Sequence, residues 1–200
     1  MAAVVVDPKA IRAFASEGAF ERWLATHHDK ERELYLRIYK KGSGKATVSY
    51  REALDVALCW GWIDGLKKSH DEESFLQRFT PRGPKSVWSQ INREHVARLI
   101  AAKRMTPHGL KHIDAAKADG RWEAAYAGAS KMVVPREFLE AVEQNEKASA
   151  TYAKLDKANR YALAFRLGNL KTAAGRAKKI ESFVAMLARG EMIHPARSKK

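Results

Sequence analysis

Residues 58–92 read LCWGWIDGLKKSHDEESFLQRFTPRGPKSVWSQIN and carry three of the five tryptophans and the single cysteine. Within them, residues 62–68 and 75–80 alternate in side-chain character, as β-strands do, and the polar residues 69–73 between them favour a turn. Two prolines then bracket a basic turn, and Ser86 is suited to cap the helix that follows. The stretch therefore predicts a β-hairpin followed by a helix.

The residues before this stretch predict further helices and another strand. Capping residues indicate helices that start at Asp7 and at Ser16, and Ser49 with Glu52 has the spacing of a capping box for a third helix. Residues 33–39 alternate as a half-buried strand does. The first part of the chain is therefore predicted to be a small mixed sheet with flanking helices, containing one hairpin and one helical crossover.

The rest of the chain has helical periodicity. Composition changes from tryptophan-rich to rich in Ala, Lys and Arg near residues 128–134. The prediction is an α+β fold, with an α+β domain at residues 1–130 and a C-terminal all-helical module at residues 131–200 that ends in a basic tail. The predicted breaks between its helices lie at Asn145, Asp156 and Lys171–Thr172, and Gly190 ends the last helix.

The amino-acid composition indicates which partners and which cellular compartment to expect. The 200 residues include 37 Lys and Arg against 23 Asp and Glu, a formal charge of +14. Such a charge favours contact with nucleic acid, acidic partners or anionic lipid, although it is spread along the chain rather than concentrated in one arm. Cys59 lies in an apolar run and is predicted to be a buried, unreactive thiol. With no signal-peptide pattern and no apolar run of about 20 residues, a cytoplasmic protein is expected.

Several known motifs are excluded. Residues 40–45, KKGSGK, resemble a phosphate-binding loop, but Tyr39 stands where that motif needs Gly and Ala46 where it needs Ser or Thr. A flexible surface turn is predicted there instead. His27 and His28 have no Cys, His or Asp at metal-ligand spacing, and no dinucleotide fingerprint is present. No cofactor and no metal is therefore expected.

Longer segments carry a family resemblance. The segments are FERWLATHH, ELYLRIYKKGSG, SYREALDVALCWGWIDGLKK, FLQRFTPRGPKSVWSQIN, RMTPHGL, AAKADGRWEAAY and ANRYALAFRLGNLKTAAGRAKKIESFVAMLARGEMIHP. Together they resemble the YdeI/OmpD-associated family, the bacterial bacteriocin-protection proteins, over nearly the whole length. One departure is the spacing from Thr172 to Arg176, which is one residue longer than in the usual C-terminal pattern of that family. The resemblance implies a link to bacteriocin or envelope-stress protection and to a porin, and it supplies no reaction or catalytic residue.

The first candidate site is an anion site at residues 80–86. A helix N-terminus offers free N–H groups and a positive dipole end, and Arg82 and Lys85 would complete an anion site beside Ser86. The alternative is that Ser86 only caps the helix and both cations are solvated.

The second candidate is Asp64. Strand alternation places Asp64 on one face with Trp62 and Leu66, where a buried carboxylate would need a partner such as Arg78 or Arg82. A structural ion pair or turn cap is the favoured interpretation.

Aromatic and polar residues nearby complete the candidate set. Trp60, Trp62 and Trp88 would form a wall for a flat ligand, or else belong to the core, which is favoured for Trp88. Asn92 and His95 lie on the apolar stripe of the helix after Ser86, and they are either satisfied core groups or site residues.

Three hypotheses follow for function. The first is a non-enzymatic stress- or bacteriocin-protection protein that binds a small anionic ligand or a protein partner, in a pocket between the strand of Trp62 and Asp64 and the turn of Arg82. The second is a small enzyme for a phosphorylated or carboxylated metabolite, with Asp64 as acid or base and with Arg82 and Lys85 as anchors for the substrate. Asp55 or His95 would be the second titratable group. The third, less favoured, is a nucleic-acid binder that uses the basic surface.

Overall fold

The computed structural model describes residues 6–128, 132–170 and 172–195. These residues form two compact units, and the division falls between Ala125 and Tyr126. The first unit is a four-stranded mixed sheet with helices and the second is helical, so the predicted α+β class is confirmed. Of the predicted boundary at residues 128–134, residues 129–131 lie outside the described part of the chain.

The strands are β1 (Ile11–Ala13), β2 (Leu34–Tyr39), β3 (Trp62–Ser69) and β4 (Ser74–Pro81), and their order in the sheet is β1-β2-β4-β3. β3 and β4 form the predicted antiparallel hairpin, and β4 also pairs antiparallel with β2, so β4 lies between the two strands that a helical crossover joins. β1 pairs parallel with β2.

The helix predicted from Asp7 is wrong. Asp7 does cap, since its side chain accepts from the amide of Lys9, but only a 3₁₀ turn over Pro8–Ala10 follows. Ile11 then enters β1 and pairs with Tyr35 of β2. Residues 11–13 gain backbone hydrogen bonds to β2 at the edge of the sheet. This tertiary pairing outweighs the local preference for a helix after Asp7.

Strand β3 departs from the predicted alternation after Asp64. Asp64 pairs with Phe79, whereas Lys67 pairs with Gln77, so β3 contains one extra residue at a bulge. The side chain of Gln77 donates to the carbonyl of Gly65 within it. Trp62 is therefore 1% exposed while Leu66 is 48% exposed, and the prediction that both share one face is wrong.

The described residues of the first unit include the helices α1 (Glu17–His27), α2 (Tyr50–Cys59), α3 (Gln90–Ala101) and α4 (Pro107–Ala118). Helix α2 is central and buries seven of its ten residues. Ala53, Val56 and Ala57 pack with α1 and the sheet in one core cluster, and Leu54, Leu58 and Cys59 pack in another with residues of α3 and α4.

The predicted start of α3 at Ser86 is wrong by about one turn. Ser89 is the cap, because its hydroxyl accepts from the amide of Asn92, and the helix begins at Gln90. Ser86 instead lies in a turn in which its amide donates to the carbonyl of Gly83. Trp88, which is 2% exposed, is buried ahead of the helix and draws the chain inward before α3 starts.

The second unit contains helices α5 (Arg136–Glu143), α6 (Glu146–Ala153), α7 (Lys157–Gly168) and α8 (Ala173–Ala188). Asn145 and Asp156 cap α6 and α7, and Thr172 caps α8, so the predicted breaks are confirmed; Lys171 lies outside the described residues. The buried core consists of Phe138, Val142, Ala148, Leu155, Leu163, Leu167, Phe183 and Leu187.

The close approach of α4 to the end of α2 gives the first prediction. A Cβ at Gly109 would lie 2.3 Å from the backbone carbonyl oxygen of Cys59, which cannot rotate away. Gly109→Ala is expected to lower the free energy of unfolding, measured by urea denaturation, by at least about 2 kcal/mol.

Gly18→Ala is the matched control, because its Cβ would meet only the end of the Arg22 side chain at 3.5 Å. That helical substitution is expected to be neutral or to stabilise by up to about 1 kcal/mol. Equal losses in the two variants would contradict the close packing of α2 against α4.

Candidate functional site

A cleft of about 660 Å³ opens beside the end of β2 and the start of α2. Its cations are Lys40, Lys41 and Lys45, and we call it the lysine cleft. The remaining lining is Ile38, Tyr39, Gly44, Ala46, Thr47, Ser49, Tyr50 and Phe75. Three lysines and three aromatic residues thus line one cleft.

The three lysines differ in how their charges are engaged. Lys41 is exposed and forms no ion pair or hydrogen bond with any residue that the structure describes. The ammonium of Lys40 donates to the backbone carbonyls of Asp71 and Glu72, which leave its charge uncancelled. Lys45 pairs with the carboxylate of Glu73 at 2.5 Å, and this hydrogen bond raises the pKa of Lys45. The cleft therefore has net positive charge.

Backbone conformation gives residues 40–45, which we call the lysine loop, their shape. Residues Lys41–Ser43 form one 3₁₀ turn, and Gly44 at φ 68° takes the left-handed conformation that glycine tolerates best. The hydroxyl of Ser43 accepts from the amide of Lys45, and that of Thr47 accepts from the amide of Tyr39. These bonds fold the loop back towards β2, so that its lysines line one cleft.

Asp64 lies next to this cleft through Tyr50. The hydroxyl of Tyr50, which lines the cleft, donates to Oδ2 of Asp64 at 2.8 Å. The expected arginine partners are engaged elsewhere: Arg78 pairs with Glu33, and the guanidinium of Arg82 lies on Trp88. The carboxylate is therefore joined to the cleft wall by a phenol.

The turn first expected to bind an anion is built around a cation–π contact. The guanidinium of Arg82 lies 3.5 Å from the ring centroid of Trp88 and is 5% exposed, and its Nη1 donates to the carbonyl of Val87. Lys85 is exposed, and the carbonyl of Ser86 accepts from Arg121. Because α3 begins only at Gln90, the helix N-terminus and these cations do not converge as expected.

Trp60 and Trp62 have different environments. Trp62 belongs to the core and donates its indole N–H to the carbonyl of His28. Trp60 caps the end of α2 and packs against the rings of His28 and His108. The indole N–H of Trp60 and Nε2 of His28 are both buried, and neither has a hydrogen-bond partner among the described residues. The three predicted tryptophans therefore form no single wall.

His112 lies beside this group, packed against Gly61. A Cβ at Gly61 would lie 2.4 Å from the His112 ring, so the left-handed glycine that ends α2 also makes room for the imidazole. Burial lowers the pKa of His112, and the positive charges of Arg82, Lys111 and Arg121 lower it further.

His95 belongs to a partly buried polar group between α2 and α3. Its Nδ1 donates to Asp55 at 2.9 Å, and Arg98 donates to both carboxylate oxygens at 2.6 and 2.7 Å. Burial raises the pKa of Asp55, but the hydrogen bonds from Arg98 and His95 outweigh it and bring the pKa below its ordinary value. Asn92, one turn earlier, contributes its backbone amide to the cap at Ser89.

The chemistry available elsewhere is limited. Cys59 is fully buried, as predicted, and burial raises its pKa to about 11, which disfavours the reactive thiolate. Among residues 6–128, 132–170 and 172–195, no three His, Cys, Asp or Glu side chains are grouped as metal ligands. Within the same residues, every helix is too short or too polar to cross a membrane.

Comparison with known proteins identifies two families. Residues 12–112, just over half of the 200-residue chain, match the model described as Domain of unknown function (DUF8412). The chain belongs to this family. Residues 131–190 match the model described as Bacteriocin-protection, YdeI or OmpD-Associated, which confirms the resemblance seen in the sequence for the helical unit. No curated protein and no solved structure matches the chain.

The two matches divide the DUF8412 chain much as its structure does. The lysine cleft lies within the DUF8412 segment, and α5 to α8 correspond to the YdeI/OmpD-associated segment. The extension of the YdeI resemblance to residues 1–130 stays a prediction.

Sequence reasoning missed the lysine cleft, although a usable pattern was present. The loop places three lysines and two glycines within six residues, and Tyr39 and Tyr50 flank it. Cations and aromatic rings occur together in this stretch, and the phosphate-loop motif does not describe that pattern.

The buried carboxylate gives the second prediction. Asp55→Asn removes the charge that holds His95 and Arg98, and it is expected to lower the free energy of unfolding at pH 7 by about 2–3 kcal/mol. Because the folded pKa is lowered, this contribution is complete above the unfolded value of about 3.9 and is lost as the pH falls through the folded pKa. Urea denaturation at pH 7 and pH 3 measures both effects.

Asp64→Asn is the control for that experiment. A neutral amide oxygen still accepts from Tyr50, so the expected loss is under about 1 kcal/mol. A loss in Asp55→Asn no larger than this would mean that the Asp55 group does not join α2 to α3.

His112 gives the third prediction. The pKa of His112 is lower in the folded than in the unfolded chain, so the unfolded chain takes up the proton at a higher pH. The contribution of His112 to stability is therefore complete above about pH 6.5 and is lost as the pH falls below that value. His112→Asn is expected to lose less stability than the parent protein between pH 7 and pH 5, as measured by thermal unfolding. A pH dependence in His112→Asn identical to that of the parent protein would refute the assignment.

Proposed function

We propose that this protein is a cytoplasmic, non-enzymatic stress- or bacteriocin-protection protein that binds a small anionic ligand in the lysine cleft. The observation that carries the proposal is the charge of that cleft. Lys41 has no ion-pair or hydrogen-bond partner among the described residues, and the ammonium of Lys40 donates to two neutral backbone carbonyls. A solvent-filled cleft with uncompensated cations attracts an anion, which replaces the missing counter-charge.

The lining also indicates the ligand's shape. Tyr39, Tyr50 and Phe75 line the cleft beside the lysines, and most small-molecule sites combine aromatic lining with a few charged groups. A phosphate or carboxylate attached to a planar group therefore fits better than a bare inorganic ion.

The alternative of a small enzyme is favoured by one contact, the hydrogen bond from Tyr50 to Asp64. A phenol on the cleft wall that is bonded to a carboxylate can pass a proton to or from a bound ligand. In that case Tyr50→Phe would abolish turnover of the ligand while leaving its binding nearly unchanged.

The fourth prediction compares two variants that are expected to change the affinity for the ligand in opposite directions. Lys41→Gln removes an unengaged charge and is expected to weaken binding of phenyl phosphate, measured by isothermal titration calorimetry, roughly five- to tenfold. Glu73→Gln removes the carboxylate that competes for Lys45, and it is expected to tighten the same binding severalfold. Inorganic phosphate should bind more weakly than phenyl phosphate to every variant.

Lys85→Gln is the matched control, since it removes one exposed lysine charge from the turn after β4. An affinity lost in Lys85→Gln and kept in Lys41→Gln would place the site at that turn instead. Equal weakening by both substitutions, with short DNA binding that falls steeply with added salt, would favour a general nucleic-acid surface and contradict the proposal.

A further inference from the structure

The helical unit has a groove of its own, of about 550 Å³, between residues 132–134 and the first turn of α7. This volume falls within the range of about 300–1,000 Å³ that is usual for small-molecule sites. Leu139, Tyr152 and Tyr161 line its sides, and Lys157 and Arg160 contribute the cations. We call it the α7 groove.

One wall of the α7 groove is apolar and open to solvent. Residues 132–134 read Met-Val-Val, and the side chain of Val133 is 81% exposed. Single exposed apolar residues are common, but an exposed valine on the wall of an apolar groove provides surface that a ligand can cover. The rings of Tyr152 and Tyr161 extend that surface.

The cations of the groove have no acidic partner among the residues that the structure describes. Arg160 donates to the carbonyl of Leu155 and lies over the ring of Tyr152 at 5.3 Å, both neutral groups. Lys157 is exposed, and within the described part of the chain no carboxylate lies within 4.0 Å of either cation. The nearest acid in sequence, Asp156, accepts from the amide and side chain of Asn159 as the cap of α7.

We infer that the α7 groove binds an amphiphilic carboxylate, with the apolar body against residues 132–134 and the tyrosine rings and the carboxylate on Lys157 and Arg160. Charge complementarity selects this ligand, since a neutral apolar molecule would leave both cations without a partner. This site is independent of the lysine cleft, because no residue lines both.

The test uses decanoate as the probe, below the concentration at which it self-associates, with the full chain in isothermal titration calorimetry. One decanoate is expected to bind per chain. Affinity is expected to rise from octanoate to decanoate by up to about fourfold per methylene, and decanol should bind at least tenfold more weakly than decanoate.

Lys157→Met and Arg160→Met are expected to weaken decanoate binding at least fivefold each, because methionine keeps an apolar stem and removes the charge. Lys154→Met, at an exposed lysine just before α7, is the matched control and should bind as the parent does. Val133→Asp tests the apolar wall separately, with an expected loss of at least tenfold; its high exposure makes misfolding no explanation.

Three outcomes would overturn the inference. Equal affinity for decanoate and decanol would show that the carboxylate is not recognised. Equal weakening by Lys154→Met and Lys157→Met would reduce the effect to general charge. Binding to anionic lipid vesicles without binding of monomeric decanoate would indicate a membrane surface and no ligand site. Lys41→Gln should leave decanoate binding unchanged, which separates this test from that of the lysine cleft.

Discussion

The first unit depends on helix α2 being buried on two sides at once. One face packs on the sheet and α1, while the other packs on residues of α3 and α4. A helix in this position can neither slide nor extend, because the capping box at Ser49 fixes its start and Gly61, at φ 71°, ends it. The contact of Gly109 with the Cys59 carbonyl then fixes how closely α4 approaches.

This constraint also explains why candidate functional groups occur along one helix. The start of α2 forms part of the lysine cleft, its middle holds Asp55 against α3, and its end carries Trp60 beside the histidines. A rigid element holds side chains in place more closely than a loop does. The lysine loop, in contrast, is connected to that helix by few residues and gains its shape from Gly44 and two hydroxyl groups.

The sequence predicted what local chemistry decides. The capping box at Ser49, the caps at Asn145 and Asp156 and the hairpin of β3 and β4 need only a few neighbouring residues, and all are present. Ser86 and Ser89 are equally good caps in isolation. The burial of Trp88 selects between them, and burial depends on residues distant in sequence such as Trp122. The bulge in β3 was likewise invisible, because it arises from pairing with β4.

The same limit applies to the candidate sites, since a net charge of +14 does not show which cations are available. Arg82, beside two prolines, looked more like a ligand-binding residue than Lys41 did. In the fold, Arg82 is buried against an indole, whereas Lys41 stays exposed at a cleft. What decides whether a cation can attract an anion is therefore the partner that tertiary structure gives it. By that criterion Lys41 in the first unit and Lys157 in the second are better placed than Arg82.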